Sequence, residues 1–150
     1  MAARDPPRYP GGMATILALD VGTRTIGIAR GDDRARLPTP HSTLARKGVA
    51  ADCRHLAQVC RKEEAVAVVV GLPYELDGGE GRSARLARQV GEALAALTGL
   101  PVHYQDERFS TLEASHRLQA AGYSARQQKE RIDQAAAAVI LQDWFAARSG

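Results

Sequence analysis

The sequence is poor in aromatic residues and cysteine, and it contains no long apolar run. Its two Phe, four Tyr and one Trp do not indicate the aromatic surface on which single-stranded nucleic acids stack. No apolar stretch approaches the roughly 20 residues that a helix needs to cross a bilayer, so no membrane partner is expected. The N-terminal segment has no apolar core of a secretory signal, and Cys53 and Cys60 complete no zinc motif. These absences predict a cytoplasmic protein.

The composition predicts one globular domain. Apolar residues make up 45% of the 150 residues, which is enough for one hydrophobic core. Residues 1–13 are rich in Pro and Gly and are predicted to be a disordered leader, with Met13 as an alternative start. The domain would then span residues 14–150. A net charge of +3 permits a polyanionic partner without requiring one.

Residues 16–29 contain the most informative local pattern. An apolar run ends near Asp20, a Gly-Thr-Arg-Thr group follows, and a second apolar run begins at Ile26. This pattern is typical of a β-hairpin. A carboxylate within a buried strand needs a partner. Either Asp20 faces a metal ion or another cation, or it accepts hydrogen bonds from the amides of the turn.

The rest of the chain alternates strand and helix patterns. The order β-β-β-α-β-α-β-α-α predicts a mixed five-stranded sheet with helices on both faces. The prolines at 38 and 40 make the third strand an edge or irregular strand. The predicted elements are a hairpin over 15–31, strands over 35–44, 66–70 and 101–105, and helices over 49–62, 83–98, 110–121 and 127–147.

Acidic residues stand at the ends of three of these elements. Asp20 follows the first strand, Asp106 and Glu107 follow the last strand, and Asp133 lies early in the final helix. Ligands collect at the carboxyl ends of parallel strands, so we expect these side chains to converge. Asp143 lies about 80° around the helix from Asp133 and should face elsewhere. Each acid also has an alternative role. Asp133 could interact favourably with the dipole at the helix N-terminus, and Glu107 could pair with a cation or cap the next helix.

Three converging carboxylates suit Mg²⁺ or Mn²⁺, which bind oxygen ligands. Two such ions about 4 Å apart clamp a phosphodiester between an attacking water and a leaving oxygen. The predicted metal ligands are Asp20, Asp133 and one of the pair Asp106 and Glu107.

Four segments resemble motifs of the YqgF/RuvX family of pre-16S rRNA nucleases, also described as Holliday-junction-resolvase-like. A single motif is weak evidence for the family, but four motifs in the same order over nearly the whole chain are specific evidence. At 109–110 the chain has Phe-Ser where the family usually has Leu-Thr, and Ser still supplies a hydroxyl. The segments are residues 19–27 (LDVGTRTIG), 69–73 with 77–78, 106–111 (DERFST), and 129–136 with 140–142.

The resemblance implies an RNase H-like fold and a cytoplasmic nuclease of ribosomal RNA maturation. Its acidic site would consist of Asp20, Asp133 and either Glu107 or Asp106, with Glu107 preferred. The choice stays open because adjacent strand residues face opposite sides.

Basic residues near these motifs are candidates for holding phosphates, since phosphate contacts dominate nucleic-acid affinity. The alternative for each is a solvated surface residue. The candidates are Arg24, Arg82, Arg108 and Lys129.

Other functions fit parts of the pattern. The family resemblance also allows a DNA endonuclease acting on Holliday junctions, which would need a symmetric homodimer rather than a monomer. A non-catalytic ribosome-assembly factor is a third possibility. The 20–27 hairpin also resembles the phosphate hairpin of actin-like kinases, but those need two such domains, and 150 residues provide room for one. The sequence does not choose between pre-rRNA and branched DNA as the substrate.

Overall fold

The computed structural model describes residues 14–74, 79–107 and 110–148. The proposed leader over 1–13 lies outside them. The described chain forms a five-stranded sheet of β1 (Thr15–Val21), β2 (Thr25–Asp32), β3 (Thr39–Ala45), β4 (Ala65–Leu72) and β5 (Val102–Asp106). The strand order is β3-β2-β1-β4-β5. β1 pairs antiparallel with β2 and parallel with β4, so the predicted mixed five-stranded sheet is confirmed.

The outer strand β3 shows why its prolines matter. A proline cannot donate a hydrogen bond to a neighbouring strand. Pro40 lies within β3 opposite Ala29, where the pairing with β2 shifts its register. β3 is the outermost strand of the sheet that the described residues form. The predicted edge strand is confirmed, and it begins four residues later than the pattern suggested.

The described residues also form the helices α1 (Val49–Lys62), α2 (Arg82–Thr98), α3 (Ser110–Ala120) and α4 (Ala125–Arg148). α3 packs against α4. α1 and α2 pack on one face, and α4 packs on the other. The predicted bounds of α1 agree with the structure, and those of the other helices differ by one or two residues. Gly99, at a φ of 73°, ends α2 in the left-handed conformation that glycine permits. In the described residues, no helix is both long and apolar enough to cross a membrane.

Glycines on the α4 face of the sheet let α4 lie very close to the strands. A Cβ atom on Gly27 would overlap the carbonyl oxygen of Asp133 and lie 2.9 Å from the backbone nitrogen of Gln134. A Cβ atom on Gly71 would lie 2.5 Å from Cδ1 of Ile140. These contacts bring the N-terminal half of α4, with Asp133, down onto the centre of the sheet.

Gly27→Ala is therefore expected to destabilise the fold strongly. Its methyl group would meet backbone, which cannot rotate away, so we expect a loss of about 3 kcal/mol of unfolding free energy. Urea denaturation followed by circular dichroism measures this loss. The control is Gly122→Ala, because Gly122 has a φ of 88° with nothing within 4 Å of its Cβ position; only backbone strain of about 1 kcal/mol applies there. Equal losses in the two variants would contradict the close-packing argument.

Candidate active site

Asp20 lies on the α4 face of β1, between two glycines. Side chains alternate along a strand, and Ile16 and Ala18 on the same strand pack against α4. Across the antiparallel pair, Asp20 stands opposite Gly27. On the parallel side, Leu19 pairs with Val70, so the next step along the strands brings Asp20 beside Gly71. The Cβ positions that these glycines leave bare are filled by the backbone of Asp133 and by the side chains of Glu107 and Ile140.

The surroundings of Asp20 strongly favour its protonated form. Burial has the largest effect, followed by the negative charges of Glu107 and then Asp133, and together they raise the pKa of Asp20 from 3.8 to about 7. All three influences act in the same direction because burial and like charges both disfavour the carboxylate. The charges of Glu107 and Asp133 both act on Asp20, and the three side chains are called the acidic group below.

Glu107 enters this group from the end of β5. Its backbone N–H donates to the carbonyl of Leu72 at 3.2 Å, which fixes the residue beside β4. Its Cγ would lie 2.7 Å from a Cβ atom on Gly71, so a larger residue at position 71 would collide with the Glu107 side chain. The hydroxyl of Ser110 donates a short hydrogen bond to Oε2 of Glu107. Burial raises the pKa of Glu107, while the Ser110 hydrogen bond lowers it and the charge of Asp106 raises it.

The structure separates Glu107 from its neighbour Asp106. Asp106 is exposed at the last position of β5. Its charge is not among the causes of the raised pKa of Asp20, whereas that of Glu107 is. The side chain placed toward Asp20 is therefore that of Glu107, the residue preferred in the sequence argument.

Asp133 reaches the group from α4. Its Oδ2 accepts a hydrogen bond from the hydroxyl of Thr25 at 2.7 Å, across 108 positions of sequence. Thr25 is the first residue of β2 and lies just beyond the turn that follows Asp20. A hydroxyl thus holds each of the two flanking carboxylates: Ser110 holds Glu107, and Thr25 holds Asp133.

An open cleft of about 620 Å³ adjoins Glu107. Asp143 lines this cleft, whereas Asp20 and Asp133 are not among its lining residues. The charge of Asp143 is not among the causes that raise the pKa of Asp20, whereas that of Asp133 is. Burial raises the pKa of Asp143, Arg117 lowers it, and Glu113 raises it. The cleft is lined by Gln105, Asp106, Glu107, Ser110, Glu113, Arg117, Val139 and Asp143.

Three of the four predicted phosphate-binding residues are exposed, on different elements of the fold. Arg24 is exposed in the turn between β1 and β2, directly before Thr25. Lys129 is exposed on α4, one helical turn before Asp133. Arg82 is exposed at the first position of α2. Arg108 lies outside the described residues.

Sequence reasoning missed several residues that shape this site. The motifs identify Ser110 as a hydroxyl in the third segment and Thr25 as a turn residue, without indicating which carboxylate either hydroxyl contacts. Nothing local in the sequence indicates that Arg46 contacts both Asp52 and the β1–β2 turn.

The donor chemistry of the site fits a hard divalent cation. Asp20, Glu107 and Asp133 supply carboxylate oxygens. The raised pKa of Asp20 reflects burial first and neighbouring negative charge second, and a bound cation would favour the carboxylate against both. Within the described ranges, however, no three His, Cys, Asp or Glu side chains are already arranged to hold a metal ion. The carboxylates would need to move closer together to share one.

Comparisons with known proteins agree on one family. The model of the RuvX family, described as "Holliday junction resolvase", matches residues 14–147. A protein of Anaeromyxobacter sp. (strain Fw109-5) named "Putative pre-16S rRNA nuclease" is 47% identical over 132 residues, covering 88% of this chain and 96% of that protein. A Thermosynechococcus vestitus protein of the same name is 39% identical over 137 residues, covering 91% of each.

Solved structures share the fold at low sequence identity. T. thermophilus RuvC in complex with a Holliday junction substrate has a TM-score of 0.57 at 20% identity, covering 91% of this chain and 96% of RuvC. The fowlpox virus resolvase in its Holliday junction complex has a TM-score of 0.59 at 9% identity, covering 91% and 99%. At such identities the likeness shows the fold alone, and the RNase H-like fold implied by the motifs is confirmed.

Proposed function

The chain belongs to the RuvX family, and from this premise we propose that it is a metal-dependent nuclease that matures the 5′ end of pre-16S rRNA. Residues 14–150 would act as one nuclease domain in the cytoplasm. The observation that carries the proposal is the convergence of Glu107 and Asp133 on a partly buried Asp20, whose pKa is raised to about 7 by burial and by their charges. A structural carboxylate would gain more from a cationic neighbour than from two acids.

Asp20, Glu107 and Asp133 would together hold Mg²⁺ or Mn²⁺, two ions in the full site. Bound ions of this kind supply charge stabilisation for a reacting phosphodiester and lower the pKa of a water. The side chains of this protein supply the geometry. Thr25 and Ser110 orient two of the carboxylates, and the open cleft beside Glu107 offers space for a phosphate group.

The substrate would be held by basic residues around the acids. Arg24 and Lys129 flank Thr25 and Asp133 in the chain, and Arg82 opens α2 after β4. Arg108 is proposed for the same role from its position next to Glu107 in the sequence. Arg binds phosphate oxygens in a bidentate way, and Lys binds them as a point charge.

Arg24→Ala and Lys129→Ala are expected to raise KM several-fold while kcat stays nearly constant. Each loses one phosphate contact, so the salt dependence of RNA binding should also become shallower, by about 1 in the slope of log K against log salt. Cleavage kinetics and binding titrations at several salt concentrations measure both effects. Lys62→Ala is the control, because Lys62 is exposed in the last turn of α1, away from the acids. An equal change in Lys62→Ala would mean that the effect arises from general surface charge and not from a phosphate contact.

The decisive experiment compares three substrates in the presence of Mg²⁺ or Mn²⁺: a precursor rRNA end fragment, single-stranded DNA and a four-way DNA junction. Cleavage of the RNA fragment that requires both the metal and Asp20 supports the maturation role. Binding to RNA without cleavage of any substrate would instead support a non-catalytic assembly factor.

A junction resolvase is the second candidate, and the description of the family favours it. A four-way junction has two-fold symmetry, so symmetric nicking requires a homodimer. Symmetric nicking by a dimeric form would support this function, while RNA cleavage by a monomer would favour maturation. Mass measurement in solution decides which form is active.

A further inference from the structure

A buried ion pair lies behind the β1–β2 turn. Nε of Arg46 donates to Oδ2 of Asp52 at 3.0 Å, and the two side chains are only 9% and 1% exposed. The backbone N–H of Lys47 donates to Oδ1 of Asp52 at 2.8 Å. Both oxygens of the carboxylate are therefore satisfied, although neither residue belongs to the acidic site.

Arg46 also holds the turn itself at two points. Its Nη1 donates to the carbonyl of Gly22 at 3.1 Å, and its backbone N–H donates to the carbonyl of Arg24 at 2.9 Å. Within the turn, the N–H of Gly22 donates to the carbonyl of Thr25 at 2.8 Å. The backbone position of Thr25 thus depends on contacts made by Arg46.

Thr25 completes the connection to the site through its hydroxyl, which donates to Oδ2 of Asp133 at 2.7 Å. One continuous series of polar contacts therefore runs from Asp52 through Arg46 and the turn to the carboxylate of Asp133. Burying an ion pair carries a desolvation penalty that can exceed the attraction between the charges, so such a pair is weak evidence for a purely stabilising role. Its position behind the β1–β2 turn points instead to a role in holding that turn.

We propose that Arg46 and Asp52, the turn clamp, are positioning residues that set the Thr25 hydroxyl and thereby orient Asp133 toward Asp20. The inference rests on the proposed function, because it assigns a purpose to the orientation of Asp133. Residues that hold a metal ligand in place affect metal affinity or activity by about 10- to 100-fold when they are replaced. A purely structural ion pair would affect stability without that effect.

The first test removes the hydroxyl. Thr25→Val is expected to lower kcat on the precursor rRNA fragment by about 10- to 100-fold and to weaken Mn²⁺ binding by a similar factor, with KM for RNA nearly unchanged. Thr25→Ser restores the hydroxyl and should return both values to near those of the parent. Unchanged Mn²⁺ affinity and kcat in Thr25→Val would overturn the inference.

The second test asks whether Arg46 acts through Thr25. Lysine keeps the positive charge beside Asp52, but its compact ammonium lacks the planar fork with which the guanidinium reaches Asp52 and Gly22 from separate nitrogens. Arg46→Lys should therefore fold, as thermal melting will verify, and still weaken Mn²⁺ binding. The double variant with Thr25→Val should be no worse than Thr25→Val alone, since residues in one network are not additive. Fully multiplicative losses would show that Arg46 does not act through Thr25.

A matched control and an independent readout complete the design. The control is Arg30, which lies on β2 and pairs with Glu63 at 2.7 Å, with a side chain that is about half exposed. Arg30→Lys should therefore change neither kcat nor Mn²⁺ affinity. Mn²⁺ titration needs no cleavage. If the parent cleaves none of the substrates, the nuclease proposal fails, while the pattern of Mn²⁺ affinities across the Thr25 and Arg46 variants still decides the role of the turn clamp.

Discussion

Replacing Asp20 with Asn is expected to reduce metal-dependent cleavage by about a thousandfold or more while the protein stays folded. The variant keeps the shape of the side chain but loses the charge that would bind a divalent ion. A bound ion supplies several kcal/mol of transition-state stabilisation, and each 1.36 kcal/mol is about a tenfold change in rate. Initial rates on the precursor rRNA fragment at saturating Mg²⁺ measure the loss.

The matched control for this variant is Asp32→Asn, at the far end of the same hairpin. Asp32 stands opposite Thr15 in the β1–β2 pair, so its charge should not matter for cleavage. Cleavage retained by Asp20→Asn would remove Asp20 from the site. Comparing Glu107→Gln with Asp106→Asn tests the neighbouring assignment, since the first should lose activity and the second should keep most of it.

The stability of the metal-free protein is expected to fall as the pH rises from about 4 to 7. Asp20 has a pKa of about 7 in the folded state, against its ordinary value of 3.8. Between these values the unfolded chain releases the proton of Asp20 while the folded chain keeps it, which favours unfolding. The loss begins above 3.8 and is complete once the pH exceeds about 7. A shift of this size corresponds to about 4 kcal/mol.

Asp20→Asn isolates this effect from all other titrating groups. The variant should match the parent near pH 4 and exceed it by up to about 4 kcal/mol at pH 8, as measured by urea denaturation after removal of divalent ions. Adding Mg²⁺ or Mn²⁺ should stabilise the parent more than the variant, because a ligand that binds only the folded state stabilises it. A difference that does not change with pH would mean that Asp20 ionises normally in the folded protein.

The elements of this fold could largely be predicted because each follows from a local pattern. The apolar run before Asp20, the turn group after it and the helical period of residues 49–62 are all readable within a few residues of sequence. Element ends were less certain, as in β3, because pairing partners decide where a strand begins. Convergence of the acids could be predicted from topology, since strand ends share an edge of the sheet.

The sequence by itself determined the hairpin, the alternation of strands and helices, and the three places where acids stand. Only the tertiary structure decided which of Asp106 and Glu107 faces Asp20, because that choice depends on the side toward which the end of β5 turns. Only the tertiary structure joined Thr25 to Asp133 and Arg46 to the β1–β2 turn. These are single polar contacts between segments brought together by packing, and such contacts leave no periodic pattern in the sequence.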